Sequence, residues 1–174
     1  MQKLPSWNFY QIYGMTETGG FATMLRWREH LHSGEEASRL RSAGQPAPGV
    51  EVKVVKPDGD ITEIGVTGEI IVRSDMLMTK YLNNPSATAE ALKDGWMHSG
   101  DAGYFDADGF LYVADRLKDM VVTGGENVYS VEVERALFSH PAVLEAAAIG
   151  IPSEEWGETV HAVVVLREGK TATE

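Results

Sequence analysis

Cysteine is absent from the 174 residues, which excludes disulfides and every thiolate metal site. No apolar run approaches the roughly 18 residues that a membrane-spanning helix needs. The first residues lack the order of a signal peptide, so the expectation is a cytoplasmic protein with no transmembrane segment. Basic residues are scarce: 15 Lys and Arg stand against 26 Asp and Glu, a net charge of −11. The imbalance is concentrated, with 9 basic and 10 acidic side chains in residues 1–87 but 6 and 16 in residues 88–174. Such a surface repels phosphate backbones and anionic lipid, so no nucleic-acid partner is expected. Any phosphate the chain handles must be met locally, by amides, hydroxyls or a metal ion. No histidine stands in a metal-ligand spacing, no Ser/His/Asp set suggests a hydrolase, and the Thr123-Gly-Gly125 loop lacks the Lys-Ser/Thr of a P-loop. Internal repeats and low-complexity tracts are also missing.

At 43% hydrophobic residues the chain can bury a core. Its most distinctive stretch runs from Val113 through Asn127. Five charged residues, Asp115, Arg116, Lys118, Asp119 and Glu126, surround a short apolar run, the chain turns on Gly124 and Gly125, and a helix pattern follows. A glycine pair permits positive φ or close approach to a ligand, although a charged surface hairpin accounts for the same residues.

Upstream, Trp7-Asn-Phe-Tyr-Gln-Ile-Tyr13 reads as a buried strand that empties into the loop Gly14-Met-Thr-Glu-Thr-Gly-Gly20. Strand-to-loop transitions of this kind commonly hold ligands in α/β proteins. Thr16 or Thr18 suits a phosphate oxygen, and Glu17 suits Mg²⁺. Residues 21–42 look partly helical before a polar connector at Ser33-Gly-Glu-Glu36, with His30 and His32 expected on the solvated surface.

From Gly44 the pattern changes to short strands and turns. Val50–Val55 alternates, Pro57-Asp-Gly-Asp60 turns, and Gly68–Arg73 returns, as an antiparallel meander of sandwich or barrel type. A helix is expected from Pro85 to Leu92 and a hairpin around Asp106-Ala-Asp-Gly109. Ser130 is the expected N-cap of the next helix, with Glu132 and Glu134 in its positive first turn. Val133, Ala136 and Leu137 share its apolar face, and Pro141 stops it. Val143–Ile149 and Thr159–Leu166 read as strands that a further helix would cover. The fold class is therefore α+β: the end of an α/β subdomain, an antiparallel β meander or barrel, then the start of a small mixed α/β domain.

Six ordered motifs give a specific resemblance. Tyr13-Gly-Met-Thr-Glu17, Gly68-Glu-Ile-Ile-Val72, Trp96-Met-His-Ser-Gly-Asp101, Asp115-Arg-Leu-Lys-Asp119, Gly124-Gly-Glu-Asn127 and Glu132-Val-Glu134, continued by Trp156-Gly-Glu158, resemble the signatures of the adenylate-forming, AMP-binding enzymes. The wording of Val122–Val128 and Arg39–Gly44 is most similar to fatty-acid and related acyl-CoA synthetases. The resemblance implies an acid-thiol ligase that joins a carboxylic acid to ATP, releases pyrophosphate and passes the acyl group from AMP to coenzyme A, with rotation of a small domain between the half-reactions.

It also implies roles for individual residues. Tyr13 would stack on adenine beside Gly14, Thr16 would touch the α-phosphate, and Glu17 would hold Mg²⁺. Asp101 would accept from the ribose hydroxyls, with Arg116 bracing the same sugar, while Gly19 and Gly20 would leave room for the acyl chain. Lys118 falls at the hinge, so residues 1–117 would close the large domain and 118–174 open the small mobile one. Gly124 and Gly125 would approach the pantetheine arm. His98 matches a position beside the ribose Asp and is expected to be structural.

Two parts of such an enzyme are missing, a phosphate loop ending in Pro-Lys-Gly and a Gly-Lys motif carrying the adenylation lysine. The expectation is an internal to C-terminal fragment, inactive alone and prone to self-association. Other acid-adenylating enzymes, carrier-protein-loading or luciferase-like, and a non-catalytic nucleotide-binding module are the alternatives.

Overall fold

The computed structural model describes residues 7–31 and 34–172. The chain divides into two compact units, Met1–Val113 and Ala114–Glu174.

In the first unit, β1 (Gln11–Tyr13), β2 (Thr23–Leu25) and β3 (Gln45–Pro46) form a small antiparallel sheet with β2 in the middle. The stretch expected to be a buried strand is thus strand only in its last three residues. Trp7, Tyr10 and Ile12 are more than half exposed, and β1 is an edge strand of its sheet.

Residues 21–42, expected to be partly helical, contain β2 and two 3₁₀ segments, Trp27–Leu31 and Gly34–Arg41. Strand pairing holds the start of this stretch: Ala22, Thr23 and Leu25 are fully buried, and the Thr23 hydroxyl donates to the carbonyl of Ala43 at 2.7 Å. His30 is not the solvated residue expected, for its Nε2 is buried without a hydrogen-bond partner among the described residues. His32 lies outside the described residues.

A second antiparallel sheet carries the core. It contains β4 (Glu51–Val55), β5 (Gly68–Arg73), β6 (Leu92–Lys93), β7 (Trp96–Phe105) and β8 (Leu111–Arg116), with β7 pairing β5, β6 and β8. Val54, Ile70, Val72, Met97 and Leu111 pack with Ala22, Ala43, Ala47 and Val50 into one buried cluster. The helix α1 (Pro85–Ala91) starts where Asn84 accepts from the Ala87 amide, with Pro85 in the first turn where its missing N–H costs nothing. The expected hairpin between β7 and β8 is present. Asp106 Oδ1 accepts the amides of Asp108 and Phe110, and Arg39 reaches Asp108 at 2.8 Å while lying over the Phe110 ring.

The second unit is one antiparallel sheet and one helix. Its strands are β9 (Val121–Thr123), β10 (Glu126–Val128), β11 (Val143–Ser153) and β12 (Gly157–Leu166), in the order β10-β9-β12-β11, and α2 spans Ser130–Phe138. Tyr129, not Ser130, is the N-cap of α2. The hydroxyl of Ser130 instead donates to Asp115 Oδ2 at 2.7 Å, and the same oxygen accepts the Val131 amide at 3.4 Å. A carboxylate at the end of β8 therefore fills the capping role, where the helix's positive end favours it over a hydroxyl. Val133 and Leu137 are half-buried but Ala136 is exposed, so the apolar face of α2 is narrower than its spacing suggests. Both long strands extend beyond their expected ends, and Leu144, Ile149, Val163 and Val165 remain exposed on them.

Candidate active site

Tyr13 ends β1, and the chain then makes a single 3₁₀ turn at Thr16–Thr18. Thr18 is buried, and its one hydroxyl proton goes to the carbonyl of Met15 at 2.8 Å while its oxygen accepts the Met15 amide at 3.1 Å. Of the two threonines considered for a phosphate, Thr18 is thus committed to the loop itself, and Thr16 stands exposed beside it. A Cβ at Gly14 would run into the carbonyl of Gly20, and one at Gly19 would come within 2.5 Å of the carbonyl of Met76. Close packing within the unit accounts for both glycines, whereas a Cβ at Gly20 would meet nothing.

Glu17 is fixed by a segment that the sequence reading left without a role. The Tyr81 hydroxyl donates to Glu17 Oε1 at 2.8 Å, and the Met78 amide donates to the Glu17 carbonyl at 2.8 Å. That hydrogen bond, joined by burial, holds the Tyr81 phenol above the usual tyrosine range, because ionising it would place two negative charges together. Tyr81 belongs to no motif quoted above, and only a lone aromatic in the polar run Thr79–Asn84 marks it. Among the described residues, no group of three or more His, Asp or Glu is arranged around a common metal position. One half-buried carboxylate still fits Mg²⁺ chemistry, since that ion is commonly held by one or two carboxylates together with substrate phosphates.

Asp101, 88 residues further along the chain, meets the same site: the Tyr13 hydroxyl donates to Asp101 Oδ2 at 2.8 Å. Asp101 is the last residue of a bulge in β7. His98 pairs Ile71 and Ala102 pairs Glu69, so Ser99, Gly100 and Asp101 stand opposite Ile70 alone. Gly100 has φ 72° there, a left-handed conformation that glycine adopts without strain. His98 Nδ1 lies 2.8 Å from Glu69 Oε2, both side chains being half-buried. Tyr13, Asp101 and the Thr16–Glu17 loop are thereby gathered in one unit.

The remaining sequence candidates lie in the second unit. Arg116 is exposed at the end of β8, where its amide donates to Asp115 Oδ1, and Lys118 is exposed in the 3₁₀ turn Leu117–Asp119. Gly124 and Gly125 form the turn of the β9–β10 hairpin, with φ of 59° and 86°. Positive φ at both positions is the requirement of a tight two-residue hairpin turn, which explains the glycine pair locally. Two further residues clamp the turn. The Gly124 amide donates to the Trp156 carbonyl at 2.9 Å, the Trp156 ring lies where a Gly124 Cβ would come within 3.0 Å, and Glu158 Oε2 accepts the Val122 amide at 2.8 Å.

The sequence profile of the AMP-binding enzymes matches residues 1–82, and that of the AMP-binding enzyme C-terminal domain matches residues 132–174. The chain is 46% identical over 162 residues to the fatty acid–[acyl-carrier-protein] ligase ScoC of Streptomyces coeruleorubidus, covering 93% of this chain and 31% of that protein. It is 44% identical over 161 residues to a feruloyl-CoA synthase of Amycolatopsis, covering 92% and 32%. Its fold superposes with a TM-score of 0.83, at 38% identity, on the o-succinylbenzoate CoA synthetase of Bacillus subtilis bound to its acyl-adenylate intermediate, covering 98% of this chain and 34% of that one. The same synthetase has been solved with ATP and magnesium.

The chain belongs to the adenylate-forming, AMP-binding enzyme family. It spans about a third of the length of the curated relatives it matches.

Proposed function

We propose that this chain is part of an AMP-forming acid-thiol ligase that activates a carboxylic acid, a fatty acid in the first instance, and delivers it to coenzyme A. The observation that carries the reading is the meeting of Tyr13 and Asp101 beside the Thr16–Glu17 loop. An ionised carboxylate accepts hydrogen bonds and donates none, so it suits a pair of ribose hydroxyls. The Tyr13 ring would lie against adenine, with the Gly14 backbone beside it and Thr16 donating to the α-phosphate. Glu17, steadied by Tyr81, would hold Mg²⁺; when bound, that ion offsets charge building on the phosphates.

A carboxylate is a poor electrophile. In the first half-reaction its oxygen attacks the α-phosphorus and pyrophosphate leaves; in the second a thiol attacks the acyl carbon and AMP leaves. Residues 1–117 would belong to the large domain and 118–174 to the small one, with Lys118 as the pivot, Arg116 bracing the ribose, and the Gly124-Gly125 turn reaching the pantetheine arm. A second reading, transfer to the phosphopantetheine of a carrier protein, is supported by the likeness to ScoC. Both acceptors end in the same thiol arm.

The test is an assay of the longer protein with ATP, a panel of carboxylic acids, and either CoA or a carrier protein. Acid-dependent pyrophosphate exchange supports the reading, and the acceptor that yields a thioester separates its two forms. Loss of exchange with every acid would overturn it. The 174 residues alone are expected to give no exchange, because the phosphate loop and the adenylation lysine supply much of the transition-state stabilisation.

A further inference from the structure

The bulge that carries Asp101 is built by a side chain, not by the strand ladder. Glu69 on β5 sends one carboxylate oxygen, Oε2, to His98 Nδ1 at 2.8 Å and the other, Oε1, to the Gly100 amide at 3.2 Å. Ser99 completes the frame: its hydroxyl donates to the Ile70 carbonyl at 2.6 Å and accepts the Asp101 amide at 3.1 Å. The carboxylate of Glu69 thus stands in for the backbone acceptor that Gly100 loses when three residues oppose one. Bulges re-aim the side chains they carry, and the last residue of this one is Asp101.

We propose that Glu69 and His98 are a positioning pair whose task is to fix Asp101 in the orientation that reads the ribose hydroxyls. The inference rests on the proposed role of Asp101 and extends it to residues that touch no nucleotide. Glu69 holds the bulge at two points, the His98 ring before it and the Gly100 amide at its middle. Removing the carboxylate frees Gly100 to leave its left-handed conformation, and Asp101 follows. Substituting glutamine keeps an acceptor for the Gly100 amide, whereas aspartate is one methylene too short to reach both partners.

The readout is the preference for ATP over 2′,3′-dideoxy-ATP, taken from equilibrium binding of each nucleotide to the longer protein. A general loss of structure weakens both nucleotides alike, but misaiming Asp101 weakens only the one with hydroxyls. Wild type is expected to prefer ATP, Asp101→Ala to lose the preference, Glu69→Ala to reduce it about tenfold, and Glu69→Gln to keep most of it. If Glu69→Ala does not fold, Glu69→Asp and His98→Ala decide, each with a several-fold smaller preference. A preference unchanged in the variants that fold, with wild type still discriminating, overturns the inference and leaves the role of Asp101 standing. If wild type and Asp101→Ala both bind the two nucleotides equally, the ribose reading has failed and the positioning role falls with it.

Discussion

Tyr13 and Asp101 meet through a hydrogen bond of 2.8 Å from the phenol to the carboxylate, although one ends an edge strand and the other ends a bulge in the core sheet. The two groups differ in what their removal costs. Asp101→Ala in the longer protein takes away an ionised acceptor whose bonds are each worth on the order of 1.5–3 kcal/mol. The apparent Michaelis constant for ATP should rise about tenfold or more, with that for the acid little changed. Tyr13→Phe keeps the ring and removes only one donor, so its effect on ATP should be several-fold smaller. An unaltered ATP constant in Asp101→Ala would reduce Asp101 to a turn residue.

Tyr81 supplies a second prediction, in two measurements. Tyr81→Phe removes the donor that steadies Glu17 without touching the carboxylate, so more Mg²⁺ should be needed for half-maximal adenylation while the ATP constant stays near wild type. The phenol also links the contact to pH. Its pKa is raised in the folded state, so the folded form holds the proton more tightly than the unfolded form. The stabilisation is then complete below the ordinary tyrosine pKa near ~10 and fades as pH rises through the higher folded value. Urea midpoints of wild type and Tyr81→Phe should therefore differ at neutral pH and converge in strong alkali. A constant difference across that range would mean that the contact with Glu17 contributes nothing.

The motifs were legible in the sequence because each sits where local chemistry and tertiary role coincide. Gly124-Gly125 reads as a turn and is one, and Asp106-Ala-Asp-Gly109 likewise. What escaped were roles assigned by partners far away in sequence. Nothing in Thr79–Asn84 announces that Tyr81 reaches back 64 residues to Glu17, and nothing near Glu69 says that its carboxylate closes on a bulge 31 residues later. Residues 23–25 were not singled out from a stretch that looks partly helical, because the two strands that pair with them lie elsewhere in the chain. Ser130 was a sound cap by local rules until a charged competitor arrived from β8.

That competitor yields a third prediction, about stability. Asp115 accepts from the Ser130 hydroxyl, the Val131 amide and the Arg116 amide. Asp115→Ala removes the carboxylate that accepts at the start of α2 and should destabilise the second unit by about 1–2 kcal/mol, the range measured for lost helix caps. Ser130→Ala leaves the carboxylate in place beside the Val131 amide and should cost less. Chemical denaturation followed by far-ultraviolet circular dichroism gives both values, and equal effects would assign the cap to the hydroxyl after all.

The final prediction separates a hinge from a charged surface turn at Lys118. Its side chain is exposed in a three-residue 3₁₀ turn, so substitution there removes no core packing. If the backbone pivots at this residue, φ and ψ must change between the two half-reactions while the flanking units move as rigid bodies. Proline fixes φ near −65° and deletes the amide donor, so Lys118→Pro should hold one conformer. On the proposed roles, adenylate formation would draw mainly on Tyr13, Thr16, Glu17 and Asp101 of the first unit, whereas thioester formation would need the Gly124-Gly125 turn of the second. Lys118→Pro in the longer protein is therefore expected to keep adenylate formation within a few-fold of wild type. Thioester formation should fall about a hundredfold, or about 2.7 kcal/mol in activation free energy. Pyrophosphate release reports the first step, and CoA consumption from preformed adenylate reports the second. Lys118→Ala, which keeps the backbone free, should spare both, so a loss shared equally by the two steps in Lys118→Pro would mean local unfolding and remove the case for a hinge.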